Sequence, residues 1–103
     1  MKTVQELQNA VLNPGTVVHG HKAVTTAGTA VALGTTATIP SGAVHIKALN
    51  GNTGLIYVGN SDVDNSNGWE LDAGEEIYWP ATDLADVYID SAENGEGVCY
   101  EYA

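Results

Sequence analysis

The chain has 103 residues, 44% of them hydrophobic, with three lysines, no arginine, thirteen acids and a formal net charge of −10. That length holds one domain with one core, and a fold so small buries only roughly 65% of the surface its unfolded chain exposes, so help from neighbouring subunits is a reasonable expectation. Three cations cannot neutralise a run of phosphates, which sets nucleic acid and anionic membrane surfaces aside as partners.

The charges are segregated. Met1 to Ser61 carries Lys2, Lys22 and Lys47 against Glu6 alone, whereas Asp62 to Ala103 carries twelve acids and no base. A partner should be neutral or basic where it meets the second half; the plainer reading is that the acids keep a densely displayed protein soluble. The opening MKTVQELQ has no apolar run of signal-peptide length, and no window approaches the ~20 apolar residues of a membrane span. The expectation is a chain made and folded in the cytoplasm.

In chain order, the first predicted element is a short helix. Thr3 and Glu6 fit a capping box, Val4, Leu7, Val11 and Leu12 share a face, and Asn13-Pro14-Gly15 ends the run. A helix of about nine residues is marginal in water unless its apolar stripe is covered, so residues 1–14 form an arm that must dock on its own domain, a sister subunit or a partner. Val17 and Val18 extend the candidate interface. Residues 15–103 then form the second unit.

From Gly15 to Ile39 the composition turns to Val, Thr, Ala and Gly, which suits pleated surfaces. Breaks fall at Ala27-Gly28 and Leu33-Gly34, and the alternation from Val24 to Thr38 resembles a strand pair. After the Pro40-Ser41-Gly42 turn, Val44, Ile46 and Ala48 alternate with His45, Lys47 and Leu49, a half-buried strand. Further strands are expected at Leu55–Val58, Trp69–Leu71, Glu75–Trp79, Asp86–Asp90 and Val98–Tyr102. Asn50-Gly51, Asn67-Gly68 and Asn94-Gly95 would supply the positive-φ residues of tight reversals. Eight or nine short strands make an all-β antiparallel sandwich, with jelly-roll order as one arrangement that satisfies the count.

No constellation reads as catalytic. Ser41, Ser61, Ser66 and Ser91 sit in turn sequences and none in a Gly-x-Ser-x-Gly elbow. Carboxylate pairs such as Asp83 with Asp86 or Glu75 with Glu76 have little wall from which to build a glycosidase cleft. Asp62, Asp64, Ser66, Asn67 and Glu70 put oxygen ligands in one loop. An EF-hand would need Gly and an acid where Asn67 and Ala73 stand, so the loop reads as a polar hairpin, with only a looser calcium or magnesium site left open. His19-Gly20-His21 with His45 is a weak zinc pattern without an accompanying Cys or acid motif. No metal and no cofactor are assigned. Cys99, the one cysteine, allows no internal disulfide and reads as a small packing residue between Val98 and Tyr100. Most of the aromatics belong to strand patterns in a chain without phenylalanine, whereas Trp69 and Trp79 flank loops and are the expected exposed anchors.

The segment Val24-Thr25-Thr26-Ala27-Gly28-Thr29-Ala30-Val31 through Asn52-Thr53-Gly54-Leu55-Ile56-Tyr57-Val58-Gly59 resembles a group of small tailed-bacteriophage virion proteins, namely capsid decoration or head-fibre proteins and tail-associated modules. Asn67-Gly68, Leu71-Asp72-Ala73-Gly74-Glu75, Leu84-Ala85-Asp86-Val87-Tyr88-Ile89-Asp90 and Gly95-Glu96-Gly97-Val98 with Tyr100 continue the likeness over about 80 residues. The resemblance implies a structural protein: a decoration or cement protein, a homotrimer on the outer face of the head, gluing major capsid protein subunits, with no enzymatic activity. Two rivals stand beside it, a tail or baseplate component and a carbohydrate-binding host-adhesion module that uses Trp69, Trp79 and the Asp62–Asn67 loop.

Overall fold

The computed structural model describes residues 17–103. The helical arm, with Val4, Leu7, Val11 and Leu12, lies outside the described residues, as does the boundary expected near residue 14. Eight strands follow: β1 (Val18–Ala23), β2 (Val31–Ala32), β3 (Ala43–Ala48), β4 (Ile56–Gly59), β5 (Trp69–Leu71), β6 (Glu76–Pro80), β7 (Tyr88–Ser91) and β8 (Gly97–Tyr102). No helix among the described residues is long and apolar enough to cross a membrane.

The strands form two four-stranded antiparallel sheets, ordered β1-β8-β3-β6 and β2-β7-β4-β5. First pairs with last, second with seventh, third with sixth and fourth with fifth, and β3·β8 and β4·β7 join these pairs into sheets. That nesting is the order of an eight-stranded jelly roll. The expected all-β antiparallel sandwich is therefore the observed fold.

Alternation places the core. Val44, Ile46 and Ala48 of β3 and Val98 and Tyr102 of β8 face Ile56 and Val58 of β4, Leu71 of β5 and Ile89 of β7 across the sandwich. Ile46, Ile56 and Ile89 have no exposed surface. Each such side chain contributes roughly 1.5–3 kcal/mol over an exposed one.

Three local readings are corrected. The stretch from Val24 to Thr38 is not a strand pair, because only Val31–Ala32 enters a ladder, against Ile89 and Tyr88. Its apolar residues are nonetheless used: Val24 and Leu33 are buried in the core, while the chain from Val24 to β2 runs as a loop. Secondly, the strand expected from Asp86 starts only at Tyr88. The Asp83 carboxylate accepts from the Ala85 and Ala37 amides and caps a 3-10 turn over Leu84–Asp86. Thirdly, of the three Asn-Gly pairs only Asn94-Gly95 has positive φ at its glycine; the other positive-φ residues are Gly28, Gly42 and Gly74. Gly68 is needed for a different reason, since a Cβ there would collide with the Tyr57 side chain and with Val63.

Candidate functional site

Two surfaces bring the sequence-predicted residues together. The first is the outer face of the β1-β8-β3-β6 sheet. Register puts His19, Glu101, His45 and Tyr78 in one row across the sheet, and His21, Cys99, Lys47 and Glu76 in the next. All three histidines and the cysteine thus share one face, bordering a shallow depression of about 360 Å3. His45 is the organised member. Its Nδ1 lies 3.1 Å from Glu101 Oε1, its Nε2 lies 2.9 Å from Glu76 Oε1, and its ring stacks on Tyr78 with centroids 4.5 Å apart and planes 9° from parallel. A carboxylate only accepts and a neutral imidazole has one N–H, so only the imidazolium makes both contacts as hydrogen bonds. Among the described residues, no three His, Cys, Asp or Glu side chains converge as metal ligands. Cys99 is half-buried, and the register sets His21 and Lys47 directly beside it on either side.

The second surface is the edge where β5 and β6, the outermost strands of the two sheets, lie on the same side of the sandwich. Trp69 pairs with Val58 and Trp79 with Val44, so both tryptophans sit on the core-facing sides of their strands at this edge. Their exposure differs. Trp79 is half-buried and packs against the core, while Trp69 is 58% exposed. Together they border a depression of about 510 Å3 that also takes in Asn60, Asn67, Pro80 and Asp86.

The Asp62–Asn67 loop beside it is held by its own groups. Asp64 Oδ1 accepts from the Ser66 hydroxyl at 2.7 Å and from its amide at 2.8 Å. Asn67 donates to the Asp62 carbonyl and accepts from the Asp64 amide. The Ser66 hydroxyl, then its amide, hold the Asp64 carboxyl below its ordinary range. These contacts hold the loop in shape from within.

The remaining acids singled out from sequence serve the scaffold or solvent. The Gly54 amide, then the Thr53 amide, hold Glu96 below the ordinary glutamate range, and the Thr53 hydroxyl adds a bond. Glu75 Oε1 accepts from the Asp72 amide in the turn between β5 and β6, while Glu76 faces the His45 ring. Of the serines, Ser41 and Ser91 are buried and bonded to backbone, Ser66 bonds Asp64, and Ser61 is exposed. At the entry to β1, Val17 is half-buried and Val18 is 46% exposed.

Sequence reasoning overlooked the pairing of His45 with Glu76 and Glu101, which lie 31 and 56 positions away. It also missed Asn60 and Asp86 as neighbours of the tryptophans. Strand register brings His45 to its glutamates, and the packing of loops at the β5–β6 edge brings Asn60 and Asp86 to the tryptophans. Comparison of the chain with family models, with curated proteins and with solved structures finds no match.

Proposed function

We propose that this chain is a structural virion protein, a capsid decoration or cement protein that binds the outer surface of a phage head as a homotrimer and ties neighbouring major capsid protein subunits together. The observation that carries the reading is the use made of the residues behind the resemblance. Asn52 exchanges hydrogen bonds with Gly97, Glu96 gathers the Thr53 and Gly54 amides, and Asp90 gathers those of Gly28 and Ser91. The polar groups of these motifs therefore maintain a rigid scaffold, and function falls to the exposed surface and to the segment that leads into β1.

Decoration of this kind works by mass action. Each copy binds surface that only the assembled lattice offers, and whatever binds one state alone stabilises it in proportion to RT ln(1 + [L]/Kd). A stable contact needs about 800 Å2 from each partner, a large share of so small a domain, which favours using the arm with Val4, Leu7, Val11 and Leu12 together with Val17 and Val18. The acidic second half then faces solvent or a basic patch on the shell.

The test is co-sedimentation of purified protein with heads that lack it, beside a variant without residues 1–14 and light scattering on the unbound protein. Saturable binding at a fixed ratio to capsid protein, lost in the shortened variant, is the expected result. Intact, folded protein that stays in the supernatant overturns the reading and directs attention to tail fractions.

A further inference from the structure

We propose that the depression between β5 and β6 is a binding site for a neutral saccharide of one or two rings, with Trp69 as the stacking platform and Asp86 and Asn60 as the hydrogen-bonding groups. This inference does not depend on the capsid reading.

The first observation is the asymmetry of the two indoles. Trp79 is fixed by packing against the core, whereas Trp69, in a three-residue edge strand, keeps 58% of its surface in water. An indole left this exposed gains little for the fold, and a ligand that covers it recovers apolar burial. Both indoles border one depression, and at about 510 Å3 it falls within the range of small-ligand sites.

The second observation is the polar rim. The Asp86 carboxylate makes no hydrogen bond among the described residues; only its amide is used, donating to the Asp83 carbonyl in the 3-10 turn. Asn60, which borders the same depression, accepts from the Asp62 amide through Oδ1, and its NH2 group makes no hydrogen bond among the described residues, so it remains a donor. Asn67, by contrast, spends its amide on the Asp62–Asn67 loop.

Ligand class follows from this pairing. A purely apolar ligand would strip water from Asp86 and Asn60 without replacing its hydrogen bonds. An anionic sugar would meet the Asp86 charge on a chain of net charge −10. A neutral pyranose offers a C–H face for the indole and hydroxyls that donate to a carboxylate and accept from an amide. A quaternary ammonium ion could also use indoles and a carboxylate. It has no hydroxyls for Asn60, however, and only two aromatic walls are present to surround it.

The test follows the two indole N–H resonances of the full chain by NMR. Glucose, galactose, mannose, N-acetylglucosamine and their common disaccharides are titrated separately to about 50 mM, a ceiling that captures the weak millimolar binding of a shallow site. Choline is titrated alongside. At least one saccharide should shift both resonances saturably. Trp69→Ala should weaken that saccharide about tenfold or more while the backbone amide spectrum stays folded, and Asp86→Asn should weaken it by a smaller factor. Three results overturn the proposal: no saccharide moves either resonance, choline alone does so, or affinity is unchanged in folded Trp69→Ala. If Trp69→Ala abolishes sedimentation with heads while no sugar binds, the depression is a capsid contact and the saccharide reading fails with the decoration reading intact.

Discussion

The two sheets solve the same problem by different means. In the β1-β8-β3-β6 sheet the strands have six, six, six and five residues, and on the outer face His45 is bonded to Glu76 and Glu101 and stacked on Tyr78. In the β2-β7-β4-β5 sheet they have two, four, four and three residues, too short for the ladder alone to fix them. Loops cover that sheet, so Tyr57 and Asp90 are buried on what would otherwise be its open face, and side-chain oxygens tie the loops down. Asp90 holds Gly28, Asn94 holds Ala27 and Asp83 holds Ala37. Ladder hydrogen bonds maintain one half of the sandwich and anchored loops the other.

The sharpest way to break the laddered half is Gly97→Ala. A Cβ at Gly97 would run into the Lys22 carbonyl and the Ala23 backbone, neither of which can rotate away, so β1 must separate from β8. The expected cost is about 3 kcal/mol or more, read as a collapsed urea midpoint or the absence of folded protein. An unchanged midpoint would mean that β1 is dispensable to the ladder.

The loop-anchored half is tested by Asp90→Ala. This removes a buried acceptor, bonded to the Gly28 amide at 2.9 Å and the Ser91 amide at 2.8 Å, and leaves both donors without it. The expected loss is about 2 kcal/mol, or roughly 8–16 °C in Tm for a domain of this size.

Acid sharpens the same contrast. Glu96 and Asp64, both anchoring turns, have folded-state pKa values below the ordinary 4.5 and 3.8, so their stabilisation is present above those values and is lost as pH falls through the lower folded values. Urea midpoints should therefore fall as the medium is acidified below the ordinary glutamate value, and Glu96→Gln should flatten part of that fall. A slope identical in the variant would show that Glu96 does not contribute.

His45→Ala should cost only about 0.5–1 kcal/mol, because both glutamates it meets are substantially exposed. Smallest of all, Trp69→Ala should leave stability within about 0.5 kcal/mol of the parent. Trp79→Ala, removing a ring packed on the core, should cost about 2 kcal/mol. Equal losses for the two tryptophans would erase the distinction between a structural indole and an available one.

This division also explains what could be read from sequence. The laddered strands announce themselves: Val44, Ile46 and Ala48 alternate with His45 and Lys47 and are buried as alternation requires. From Val24 to Thr38 the composition is equally rich in strand formers, yet apart from Val31–Ala32 the fold uses it as a covering loop. There, side chains of Asp90, Asn94 and Asp83, more than 40 positions away, take the amides that a neighbouring strand would have taken. Asn67-Gly68 was legible as a turn, but the need for its glycine comes from the approach of Tyr57, a long-range contact that no local pattern encodes. The two tryptophans could be singled out from their place beside loops. Their different exposures depend on what each ring meets, since Trp79 packs against the core and Trp69 does not, which is a property of the assembled sheets.

The pairing of first strand with last has a mechanical consequence. Val18 sits opposite Tyr102, so tension applied between these two residues pulls β1 and β8 apart from one end and opens their hydrogen bonds one after another, as a zipper opens. Tension between Val18 and Gly97, at opposite ends of the paired strands, would instead load the whole ladder at once. A load carried through the segment before β1 therefore finds a compliant direction and a stiff one in the same sheet, and the direction of attachment decides which of them resists.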